Sequence, residues 1–163
     1  TAFLVSTPTY TSTSQYYHIV MHADTNNATA SLRCRVWVDG SEITAWDTDS
    51  RSSIVTGTDY AFNNTVAHYI GRGGDSAVRY FNGSMALMYV FDGVALSGLL
   101  PSTFSSAGTA QLYSGSYGAQ GSFLNFSNSG SLGTDGSGNG NTWTLTNINS
   151  GNFVSGGGPP KNY

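Results

Sequence analysis

The feature that most constrains this chain is a period of two. Apolar and polar side chains alternate through several segments, and helical periodicity is nearly absent. Successive side chains of a strand point to opposite faces, so alternation marks half-buried strands. Tyr17, Ile19 and Met21 fall on one face of the first such run, and Tyr16, His18, Val20 and His22 on the other. In the next, Leu32, Cys34, Val36 and Val38 oppose Arg33, Arg35, Trp37 and Asp39. Asp39-Gly40 fits a tight hairpin turn into residues 42–46. A loop over 47–64 follows, then an alternating run over 66–70, then a long strand over 79–91. Residues 123–126 and 142–146 read as two short strands around a glycine-rich loop at 133–141. This pattern predicts an all-β fold, an antiparallel β-sandwich, with Leu32, Cys34, Val36, Val38, Leu87 and Tyr89 in its core.

A chain of 163 residues fits one domain and buries enough surface to need no staples. Its single cysteine, Cys34, excludes an internal disulfide. Charged residues make up 9%, against about 25% in ordinary domains. The net charge is −3 and Lys161 is the only lysine. So few cations argue against binding driven by nucleic-acid phosphates or by an anionic membrane surface. No apolar run approaches the roughly 20 residues of a membrane helix. The chain opens on a strand-like run without an initiator methionine, which reads as a piece of something longer.

Three segments resemble the laminin-G/concanavalin-like domain. They are Tyr16-Tyr-His-Ile-Val20 with Arg35-Val-Trp-Val-Asp-Gly40, then Tyr69-Ile-Gly-Arg72, then residues 80–96. The wording is closest to a subgroup found in bacteriophage tail-fibre and virion structural proteins. That subgroup carries runs similar to residues 63–72, 113–118, 123–126 and 135–143, and to the ending Pro160 to Tyr163. The resemblance implies a concanavalin-like jelly roll lacking some N-terminal strands. Four segments follow from it: a sandwich over 1–104, a Gly/Ser-rich connection over 105–121, a two-strand extension over 122–147, and a Gly/Pro tail over 148–163. The extension either fills the missing edge or begins a second module. The resemblance also implies a virion-surface, extracellular setting, and attachment to host glycan or to other virion proteins.

The residues themselves offer little for catalysis. Retaining glycanases of concanavalin-like fold need two carboxylates about 5–5.5 Å apart. Here Glu42 is the only glutamate, and the expected Glu-x-Asp-x-x-Glu strand is absent. No Gly-x-Ser-x-Gly elbow occurs. His18 and His22 share a strand face, but a zinc site would need a further ligand. Arg72-Gly-Gly-Asp-Ser76 misses the Arg-Gly-Asp adhesion motif by one glycine. The chain is therefore expected not to be an enzyme. Sugar recognition would use aromatic platforms beside polar side chains, and Trp37, Trp46, Arg35, Asp39 and Tyr80 are the candidates. Calcium is the cofactor the resemblance implies, at oxygen-rich loops holding Asp24, Asp75 and Asp135. An unfinished sandwich without edge lysines is also expected to form a homo-oligomer or pair with neighbouring chains. Two further readings are a purely structural fibre or capsid-decoration subunit, and a relative of glycoside hydrolases.

Overall fold

A computed structural model describes residues 4–60, 64–73, 80–94, 105–106, 109–110 and 112–153. Asp75, Arg79, Lys161 and the tail from residue 154 lie outside them. The described residues form an all-β chain of short antiparallel strands, with 3₁₀ turns and no α-helix among them. The strands are β1 (Leu4–Ser6), β2 (Ile19–Ala23), β3 (Cys34–Val38), β4 (Ser41–Glu42), β5 (Trp46–Asp49), β6 (Met88–Val90), β7 (Ser105–Ser106), β8 (Thr109–Ala110) and β9 (Ser122–Leu124). The chain divides into two compact units. Unit 1 holds residues 4–59, 105–106, 109–110 and 112–114; unit 2 holds 60, 64–73, 80–94 and 115–153.

In unit 1, β3 lies between β2 and β4, while β1 pairs with β5 and β7 with β8. The β3–β4 hairpin turns at Asp39 and Gly40, whose φ angles of +48° and +85° are those of a primed two-residue turn. Asp39 closes that turn further, because its Oδ1 accepts the His18 backbone N–H at 2.8 Å. The register pairs Ile19 with Val38, Val20 with Trp37, and His22 with Arg35. One face thus carries Cys34, Val36 and Val38 as the alternation predicts. It is covered over the end of β3, where Val38 is buried, and bare over β2, where Ile19 is 59% and Met21 75% exposed. The opposite face departs from the pattern. Trp37 is buried, because the Arg35 guanidinium lies 4.5 Å from its ring centroid and is itself held by Glu42.

Unit 2 is built on β6 and β9, paired Met88 with Leu124, Tyr89 with Phe123, and Val90 with Ser122. Tyr89, Phe91, Tyr117 and Phe123 stack nearly parallel, with Tyr89 and Phe123 centroids 4.6 Å apart at 6°. Tyr117, Phe123, Leu124, Leu132 and Ala86 are buried. The expected segment 122–147 therefore joins β6 through its first strand.

Several expectations fail for local reasons. Leu32 is 39% exposed, because it ends a 3₁₀ turn (Ala30–Leu32) before β3 begins. Cys34, Val36, Leu87 and Tyr89 are only half-buried. The long strand over 79–91 shortens to β6, with bends at Gly83 and Ala86. Residues 66–70 form no strand; only a bridge between Arg72 and Tyr80 survives there. Residues 142–146 form none either: Trp143 donates its backbone N–H to Gly133 and its indole N–H to the Ser122 hydroxyl. Residues 46–49, expected in part as loop, pair with β1 instead.

Candidate attachment surface

The sugar-platform candidates of unit 1 are engaged with their own neighbours. Arg35 forms a two-point pair with Glu42, Nε to Oε1 at 2.8 Å and Nη2 to Oε2. That hydrogen-bonded partner holds the Glu42 carboxyl below its ordinary value. Trp46 is half-buried, and Arg51 lies 5.2 Å from its ring centroid. Arg51 is itself buried, donating to Asp49 at 2.6 and 2.9 Å and to the Ser31 and Cys34 carbonyls. Arg33 donates to the carbonyls of Asn27, Ala28 and Ile54. A planar guanidinium with five donors suits this carbonyl-gathering work. Trp37, Trp46, Arg35 and Asp39 all lie in unit 1, and each already has a structural partner there.

Tyr80 has a different setting, in unit 2. The Arg72–Tyr80 bridge and the hydrogen bond from Phe81 N to Gly71 O (2.8 Å) set residues 71–72 beside 80–81. Gly71 has φ +75°, and the Phe81 and Met85 side chains close around it at 3.9 Å from where a Cβ would stand. The Arg72 guanidinium lies 4.4 Å from the Tyr69 ring centroid. Tyr80 is 61%, Phe81 55% and Tyr69 47% exposed. Arg72 is also exposed, and its side chain makes no hydrogen bond or ion pair with a described residue, whereas those of Arg33, Arg35 and Arg51 do. Arg72 over the Tyr69 ring, with the exposed Tyr80 and Phe81 on the bridged segment, forms an exposed aromatic surface in unit 2. Sequence reasoning selected Tyr80 but met Arg72 only in the Tyr69-Ile-Gly-Arg72 segment and the interrupted Arg-Gly-Asp motif. Tyr69-x-x-Arg72 and Tyr80-Phe81 were the available signal.

Of the calcium candidates, Asp75 lies outside the described residues, and Asp24 and Asp135 each sit in a hydrogen-bonded loop of their own unit. Asp24 belongs to unit 1 and caps its own turn, accepting the Asn26 N–H at 3.1 Å. Asp135 belongs to unit 2, where four donors fill its carboxylate. Oδ1 accepts from Phe123 N (2.8 Å) and Ser137 N (2.9 Å), and Oδ2 from Ser137 Oγ and Asn141 N (both 2.8 Å). Partial burial pulls its carboxyl upward, but these N–H and O–H donors outweigh that and hold it below the ordinary value. Around it, Asn139 and Asn141 each donate to the Gly121 carbonyl, so the 133–141 loop is an ordered clasp on residues 118–123. A Cβ at Gly121 would collide with the Tyr117 carbonyl, and one at Gly133 with the Trp143 carbonyl. Among the described residues no three His, Cys, Asp or Glu side chains converge as a metal-holding group.

His22 lies on β2 opposite Arg35, and its Nδ1 is buried without a hydrogen-bond partner. Burial lowers the pKa of both His18 and His22, against the pull of Asp39 and Asp24 respectively. Burial raises the Cys34 thiol, which disfavours the reactive thiolate. No family model, curated protein or solved structure matches the chain.

Proposed function

We propose that this chain is a non-catalytic attachment module of a virion surface or tail fibre, and that it makes contact through the patch of Tyr69, Arg72, Tyr80 and Phe81. The observation that carries this reading is the exposure of Tyr80 and Phe81, 61% and 55%, on the segment bridged to Arg72, whose guanidinium lies over Tyr69 and has no acidic partner among the described residues. Aromatic rings offer large, stiff contact area to a sugar face or a protein surface, and a stacked arginine adds a directed donor set. The family reading rests on the resemblance of residues 16–97, and the small antiparallel sheets are parts a concanavalin-like sandwich would use. Host-surface glycan is the ligand we favour for the patch. A glycan array tests it: binding is expected for the intact chain and loss of binding for Tyr80→Ala.

A second reading, the ligand-free fibre or capsid-decoration subunit, draws on a separate observation. β2 lies at the edge of its sheet, and Ile19 and Met21 leave that apolar face bare. Unpaired strand edges are templates for pairing with another chain. A blank array together with a stable oligomer in sedimentation would support this second reading.

A further inference from the structure

Five Asx-Gly dipeptides occur in the sequence: Asp39-Gly40, Asn82-Gly83, Asp92-Gly93, Asp135-Gly136 and Asn139-Gly140. Such dipeptides carry a common chemical liability. The glycine lacks a Cβ, so its backbone nitrogen can approach the preceding side-chain carbonyl carbon and close a five-membered ring. Whether that happens depends on whether the Asx side chain is free to swing onto that nitrogen.

Four of the five are tied down. Asp39 Oδ1 accepts from His18 N at 2.8 Å. Asp92 Oδ2 accepts from Gln120 N at 3.2 Å. Asp135 receives four donors. Asn139 Nδ2 donates to the Gly118 and Gly121 carbonyls at 2.7 and 2.9 Å. Among the five, Asn82 alone is exposed with no side-chain hydrogen bond to a described residue, and it follows the exposed Tyr80 and Phe81 directly. The Phe81 ring lies against the glycine after it, its tip 2.7 Å from where a Gly83 Cβ would be built, so another residue there would displace the exposed ring.

We infer that Asn82 is the deamidation site of this chain, and that its conversion places a new negative charge within the exposed aromatic patch. The Gly83 nitrogen attacks Asn82 Cγ, a C–N bond forms, and ammonia leaves carrying the former Gly83 amide proton. Water then opens the cyclic imide at either carbonyl, giving aspartate or isoaspartate. The net change is one amide and one water to one carboxylic acid and one ammonia. This chemistry is independent of whether the patch binds a ligand.

The test is peptide mapping by mass spectrometry of the intact chain held at mildly alkaline pH. Asn82 is expected to convert at least about tenfold faster than Asn139, whose two hydrogen bonds must first be released. In denaturant the two Asn-Gly sites should convert at similar rates, which ascribes the difference to the fold. Ion exchange of the aged protein should show a growing acidic form that Asn82→Gln abolishes. Equal rates at Asn82 and Asn139 in the folded chain, or an acidic form that persists in Asn82→Gln, would overturn the inference.

Discussion

The two units use similar residue types to opposite ends. In unit 1, three arginines are drawn inward: Arg33 and Arg51 gather backbone carbonyls, and Arg35 covers Trp37 while gripping Glu42. In unit 2 no ion pair joins described residues. Its interior is held by stacked rings and by the Asp135 clasp, and Arg72 is left outside with Tyr80 and Phe81. The difference teaches where to look for contact. A tryptophan beneath an arginine that is itself paired is part of the scaffold. The exposed aromatics near Arg72, which has no acidic partner among the described residues, are where the proposed contact is to be tested.

The comparison breaks most readily in the unit 2 interior. Phe123→Ala removes a ring buried among Tyr89 and Tyr117, and should cost about 3–5 kcal/mol in urea unfolding. Hydrogen exchange should show the loss of protection concentrated in unit 2; equal loss in both units would mean that they do not hold themselves together separately. Asp135→Ala should come next, at about 2–3 kcal/mol, because four donors lose their acceptor. Asn139 should then lose the protection against deamidation that its fixed loop provides.

In unit 1 the matching change is Arg51→Met, expected to cost about 1–3 kcal/mol as the Ser31 and Cys34 carbonyls lose their donor. A neutral result would show that the arginine cage is ornament rather than support. Smallest is the response to acid, which should differ between the units. His18 and His22 in unit 1 hold their protons less tightly when folded. The unfolded chain therefore protonates first, and stability present above the ordinary histidine value of about 6.5 is lost as pH falls below it. Asp135 in unit 2 sits below the ordinary carboxylate value, so its contribution is lost only further into acid. Thermal melts from pH 7 to pH 3, read by amide exchange in each unit, should show unit 1 weakening first.

Local signals in the sequence were legible where one residue pair decides the backbone. Asp39-Gly40 announced its turn, and the alternation through β2 and β3 gave the observed register faces. It could not show that Trp37 is buried, because alternation reports which face a side chain takes and not whether a paired arginine covers that face. It overextended residues 79–91, because a favourable pattern cannot show that Phe81 folds back over Gly83. The sequence left Asp135 as a calcium candidate because a carboxylate in an oxygen-rich loop serves a cation or backbone N–H groups equally well. The structure adds the four donors around it, which the sequence could not show. Arg72 was not among the contact candidates because its importance is comparative: it emerges when Arg33, Arg35 and Arg51 are seen to be occupied.

The most direct test of the contrast between scaffold and contact residues is a pair of substitutions read by two assays. Glycan-array binding and urea unfolding should be measured for Tyr80→Ala and Trp37→Ala, with binding taken under conditions where both remain folded. The account predicts that Tyr80→Ala abolishes binding with stability nearly unchanged, and that Trp37→Ala costs about 3–5 kcal/mol yet leaves binding intact. Binding that survives Tyr80→Ala and disappears in folded Trp37→Ala would contradict it.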